Sequence, residues 1–83
     1  MYKIVVRKTA EKELSRVEKT QRSRIERTIL SLSLNPYLGK PLKGEFQGIY
    51  SLKVWPFRIL YEIYKKQLII HIIKISHRQN VYK

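Results

Sequence analysis

The sequence predicts an α+β domain of order β-α-α-β-β-β, a helical hairpin packed on an antiparallel sheet. Three observations carry that reading. A short β-branched stretch, Lys3-Ile4-Val5-Val6-Arg7, opens the chain. Apolar residues at helical spacing follow as far as Asn35-Pro36, and from Ile49 onward the pattern changes to alternation with a period of two.

In the first strand, Tyr2, Ile4 and Val6 share a face. Thr9 has the chemistry of an N-cap, and Glu11 and Glu13 then complement the positive end of a first helix over residues 10–19. Ala10, Leu14 and Val17, at i, i+4 and i+7, form its apolar stripe. Thr20 is the expected cap of a second helix, with Ile25, Ile29 and Leu32 on the buried side. Asn35-Pro36 ends it, because a residue before proline resists the α region. Residues 35–48 (NPYLGKPLKGEFQG) hold two of the three prolines and all three glycines, and read as a loop. Ile49–Val54, Phe57–Tyr64 and Leu68–Ile75 are the remaining strands, joined closely enough to form an antiparallel meander. The last has Leu68, Ile70 and Ile72 on one face and Ile69, Ile73 and Ile75 on the other. A strand apolar on both faces is expected to be central and covered on both sides.

Length allows one domain, spanning residues 1–83. The chain has no cysteine, which excludes a disulfide framework, a thiolate zinc site and a cysteine nucleophile. Two His and six acidic residues leave little for a metal site, so no metal or cofactor is expected. No apolar run approaches a membrane span, and Met1-Tyr2-Lys3 leads directly into strand-like sequence without a visible signal peptide. A cytoplasmic location is expected.

Charge is the informative quantity. Eighteen Lys and Arg against six Asp and Glu give a formal net charge of +12. The excess is spread along the chain, with +5 in residues 1–35 and +7 in residues 36–83, so it belongs to the folded body and not to a tail. Such a density repels itself, and a polyanion relieves the repulsion, with nucleic acid favoured over an acidic protein or a membrane surface.

Alternation makes a sharper statement. If the helices cover the face of Leu52 and Val54, Lys53 lies on the open face. A short turn at Trp55-Pro56 then brings Arg58 close to it on the adjacent strand. His77, Arg78 and Tyr82 follow the last strand and are expected to reach the rim of the same surface.

Taken in order, Leu42-Lys43-Gly44, Tyr50-Ser51-Leu52-Lys53-Val54, Phe57-Arg58-Ile59-Leu60-Tyr61, Ile75-Ser76-His77-Arg78 and Val81-Tyr82 resemble the RelE/ParE superfamily of bacterial and archaeal toxins, on the RelE side. The resemblance covers essentially the whole chain. It implies a toxin of a type II toxin-antitoxin system, an endoribonuclease that cuts mRNA, typically on the ribosome, and is held inactive by a cognate acidic antitoxin. Carried over by position, Lys53, Arg58, Arg78 and Tyr82 match residues of the RelE catalytic surface, and His77 stands where some members have Lys and others use His. The pattern departs at Ser51, where RelE has a second lysine, and the chain ends at Lys83 without the terminal helix of some members.

Metal-independent RNA cleavage by the 2′-OH needs a base, charge stabilisation for the phosphorane and an acid for the departing 5′-oxygen. Arg58 and Arg78 suit the second task, since a guanidinium grips two phosphate oxygens and stays protonated. Tyr82 and His77 are the candidates for proton transfer, and Lys53 can hold phosphate, lower the tyrosine's pKa or act as a base. Lys40, Lys43, Lys65, Lys66 and Lys74 are expected to make general contacts with ribosomal RNA. Tyr50 and Trp55 can stack on bases or pack in the core, Tyr61 and Tyr64 read as packing, and His71 as a satisfied structural histidine. Two other functions fit the same fold. One is a ParE-like inhibitor of DNA gyrase, against which the terminal His-Arg and Val-Tyr pairs argue. The other is a non-catalytic RNA- or ribosome-binding module.

Overall fold

The computed structural model describes residues 1–77, and Arg78 and Tyr82 lie outside them. Five strands form one sheet: β1 (Lys3–Val6), β2 (Lys40–Pro41), β3 (Tyr50–Val54), β4 (Phe57–Tyr64) and β5 (Ile69–His77). Two helices, α1 (Lys8–Ser15) and α2 (Lys19–Leu34), connect β1 to the rest. The strand order is β1-β5-β4-β3-β2. The β3-β4-β5 meander is antiparallel as its short turns require. The sheet as a whole is mixed, because β1 pairs parallel to β5. The long path between them, through both helices and then β2, β3 and β4, is the crossover that a parallel pair needs.

Local capping departs from expectation. Helix α1 begins at Lys8 and ends at Ser15, earlier at both ends than expected, and Thr9 lies inside it with Arg7 at the N-cap. Glu18, not Thr20, caps α2, its carboxylate accepting from the Thr20 N–H at 3.1 Å. That backbone bond is the chief cause holding the Glu18 carboxyl below the usual carboxylate range. The predicted loop contains two short 3-10 turns, Pro36–Leu38 and Gly44–Phe46, and the two-residue strand β2 at the sheet edge. Leu68 is not in β5; it sits in the β4–β5 turn at φ +57°.

Ala10, Ile25, Ile29 and Leu32 from the helices meet Ile59, Tyr61, Ile70, Ile72 and Ile75 from the sheet. Each fully buried aliphatic side chain contributes roughly 1.5–3 kcal/mol. The helix stripes behave as their spacing predicts. Strand β5 is central, between β1 and β4, but its far face (Ile69, His71, Ile73) is only half-buried, since both helices lie on the other side.

One irregularity reorganises the end of β5. Leu60 pairs with Lys74, yet the next residue, Tyr61, pairs with Ile72, so Ile73 is an extra residue in β5. Beyond this bulge the alternation inverts. Ile75 joins Ile70 and Ile72 in the core instead of sharing a face with Ile69. Strand β1 reaches only as far as Ile72 along this edge. Past that point Glu13 of α1 takes over, accepting the Ile75 N–H at 2.8 Å and pairing with Lys74 Nζ at 3.2 Å.

Candidate functional site

The face of the sheet away from the helices carries the site. Ladder partners share a face, so the pairing of Lys53 with Arg58 puts both cations side by side on it. Directly opposite residues have Cβ atoms about 5 Å apart. Lys40 of β2 pairs with Ser51, two residues before Lys53, and adds a third cation to the same face. Leu38, Lys40, Ser51, Leu52, Lys53 and Arg58 line one depression of about 380 Å³. None of these residues is acidic. The described ion pairs, Arg7–Glu62 and Lys74–Glu13, lie elsewhere. Ser51 is 7% exposed at the floor, and its Oγ has no hydrogen-bond partner among the described residues.

The rim at Leu38 and Lys40 is fixed from inside. Tyr61, wholly buried, donates its hydroxyl to the Pro36 carbonyl at 2.7 Å and accepts the Gly39 N–H at 2.9 Å. Gly39 has no room for a side chain, because a Cβ there would lie 2.7 Å from the Tyr61 Oη and 2.9 Å from the Ser51 carbonyl. Tyr50 stacks on Tyr61 with ring centroids 5.5 Å apart, which settles it as packing.

His77 is not brought to this surface. It pairs with Phe57, and its ring meets the Phe57 ring edge-on at 5.7 Å, on the helix side of the sheet. Arg58 has Ser76 as its ladder partner instead. The cause is the bulge at Ile73: uninterrupted alternation would have set His77 on the face opposite Ile70 and Ile72, and the extra residue turns it over. Arg78 and Tyr82 lie outside the described residues.

The five lysines expected to meet RNA disperse. Lys40 lines the depression. Lys74 is engaged by Glu13, and Lys43 is exposed beyond the sheet edge. Lys65 and Lys66 occupy the β4–β5 turn, at the opposite end of β4 from Arg58. Lys65 lies over the Tyr37 ring at 5.6 Å, and its hydrogen bond to Tyr37 raises its pKa. His71 packs against Tyr64 at 4.6 Å, but its buried Nδ1 has no described partner, so it is structural without being satisfied. Trp55 does not close the core; it stands 57% exposed in the β3–β4 turn. Sequence reasoning placed Lys40 as a general contact and passed over Ser51 as a contributor, because β2 is too short to show a pattern.

Comparison with known proteins agrees with this architecture. The sequence model of the family described as "ParE toxin of type II toxin-antitoxin system, parDE" matches residues 4–82. Toxin RelE of Mycobacterium tuberculosis is 31% identical over 84 residues, covering 99% of this chain and 87% of that protein. The toxin-antitoxin complex RelBE2 of the same organism contains a chain that superposes with a TM-score of 0.87 at 26% identity, covering 93% of this chain and 98% of that one. The archaeal RelE-RelB complex from Pyrococcus horikoshii shares the fold, with a TM-score of 0.78 at 20% identity, covering 96% of this chain and 98% of that one. The chain belongs to the RelE/ParE superfamily of type II toxin-antitoxin toxins. Its mixed five-stranded sheet with two helices on one face is the RelE-type fold. No helix among the described residues is long and apolar enough to cross a membrane.

Proposed function

We propose that the protein is an endoribonuclease that cleaves mRNA on the ribosome, in the cytoplasm, by metal-independent attack of a ribose 2′-OH. The observation that carries this reading is the ladder pairing of Lys53 with Arg58 beside Lys40, three cations in one depression without a carboxylate. A phosphodiester seated there meets a guanidinium able to hold two of its oxygens, with an ammonium beside it. As the 2′-oxygen attacks, the phosphorane gains negative charge, and fixed cations stabilise that state more than the ground state. The 2′-OH proton passes to a base, the bond to the 5′-oxygen breaks, and that oxygen takes a proton from an acid. The products are a 2′,3′-cyclic phosphate and a 5′-hydroxyl.

In this reading Arg58 and Lys53 hold the phosphate and Arg78 adds a second guanidinium. Tyr82 carries proton transfer, with Lys53 the other group available as a base. His77 is left out, because its ring faces Phe57. The partner is a cognate acidic antitoxin, suited to a domain of charge +12. That a RelBE2 toxin of similar fold was solved with its antitoxin supports the same arrangement. The experiment uses ribosomes programmed with a defined mRNA. Cleavage is expected to leave a 2′,3′-cyclic phosphate and to stop when the nucleotide at the cut is 2′-deoxy. An uncut message, or cutting that persists through the deoxy substitution, refutes the mechanism.

A further inference from the structure

A second basic groove lies round the edge of the molecule from Lys53 and Arg58. Arg24, Arg27, Thr28 and Ser31 follow one another along one side of α2 at i, i+3, i+4 and i+7. With Val54 and Trp55 they line a depression of about 390 Å³. The Arg24 guanidinium donates to the Trp55 carbonyl, tying the β3–β4 turn to the helix. Thr28 and Ser31 spend their hydroxyls on the carbonyls of Arg24 and Arg27, at 2.8 and 3.2 Å. What the groove offers outward is an indole, 57% exposed, and cationic side chains, with no acidic residue among its lining.

The position matters as much as the chemistry. Val54 and Phe57 close the hairpin, and Lys53 and Arg58 are the next pair inward. Trp55 is thus two residues from Lys53, at most about 7 Å between Cα atoms. A strand of RNA whose phosphate sits on Lys53 and Arg58 reaches this turn with a neighbouring nucleotide. We propose that the Trp55–Arg27 groove is a subsite for a nucleotide flanking the cut, its base stacked on the Trp55 indole and its phosphate held by Arg27. The subsite rests on the RNA-cleavage reading above and adds to it a requirement for single-stranded RNA, because a stacked duplex base has no free face to give the indole.

Trp55 is the chain's single tryptophan, so tryptophan emission comes from this side chain. The probe is a ten-nucleotide unstructured RNA made uncleavable by 2′-deoxy substitution at the cut. Saturable quenching of Trp55 by this strand, but not by a duplex of equal length, is the expected result. Trp55→Ala is expected to weaken binding by about fivefold to a hundredfold, with Trp55→Phe recovering most of it. Arg27→Ala is expected to weaken binding several-fold and to lower the salt slope by about one. Arg58→Ala lowers cleavage of mRNA on programmed ribosomes by about a hundredfold or more yet keeps the quenching at saturating RNA. Far-ultraviolet circular dichroism checks each fold, and Trp55→Phe and Arg27→Ala decide the matter if Trp55→Ala unfolds. RNA that binds with emission unchanged, and binds Trp55→Ala like wild type, while mRNA on programmed ribosomes is still cut through Arg58, overturns the subsite and leaves the nuclease. A message neither bound by the free protein nor cut on programmed ribosomes removes both. Quenching by poly-glutamate in place of RNA also overturns the subsite.

Discussion

Replacing Tyr61 with phenylalanine removes one oxygen and unmakes two hydrogen bonds, the 2.7 Å bond to the Pro36 carbonyl and the 2.9 Å bond from the Gly39 N–H. Both backbone groups lie in buried residues, so the change leaves a donor and an acceptor without partners. Each orphaned group costs about 1–3 kcal/mol, and a carbonyl with two lone pairs falls at the low end. A loss of about 2–4 kcal/mol follows, a large share of the roughly 4–12 kcal/mol expected of a chain this size. Urea unfolding measures it: at a slope near 1 kcal/mol/M, the midpoint falls by about 2–4 M. Hydrogen exchange at Gly39 locates the effect, because its amide loses the acceptor that protects it. Burial also pushes the Tyr61 phenol above its ordinary value of 10.0. A raised folded-state pKa gives stability that is full below the unfolded value and is lost as pH climbs past it, so Tyr61→Phe lacks that alkaline loss. A midpoint shift below about 0.5 M with the Gly39 amide still protected refutes the reasoning.

Three further outcomes follow from the structure. Glu13→Ala is expected to cost about 1–3 kcal/mol by freeing the Ile75 N–H and Lys74, and Glu13→Gln less, since an amide oxygen still accepts; thermal unfolding ranks them. Leu68→Gly is expected to be neutral or stabilising by up to about 1 kcal/mol, since φ is +57° and a left-handed conformation penalises a branched residue; urea unfolding reads it. His77→Ala is expected to leave cleavage within about threefold of wild type, as its ring sits with Phe57 and not with Arg58; a hundredfold loss with the fold intact restores it to the catalytic set.

What the sequence made legible was periodic. Ile25, Ile29 and Leu32 were readable as one helix face, and Phe57–Tyr64 as a strand with its bounds. So was the neighbour relation of Lys53 and Arg58, because a tight turn leaves little choice of register. The bulge at Ile73 was not legible, since nothing in a run of five isoleucines within seven residues marks which one is unpaired. That single insertion moved Ile75 into the core and His77 away from Arg58. The parallel partner of the first strand was equally hidden, for pairing between residues 3–6 and 69–72 is a property of the crossover and not of either segment. Lys40 was missed as part of the depression because only β3 brings it there, through its pairing with Ser51.

Single-turnover cleavage by wild type, Lys53→Ala, Arg58→Ala and the double variant tests most directly whether these strands hold the reacting phosphate. Arg58→Ala is expected to lose about a hundredfold to a thousandfold, and the double variant to lose less than the product of the two single losses, because both side chains act on one phosphate. A folded double variant that cleaves at the wild-type rate contradicts the account.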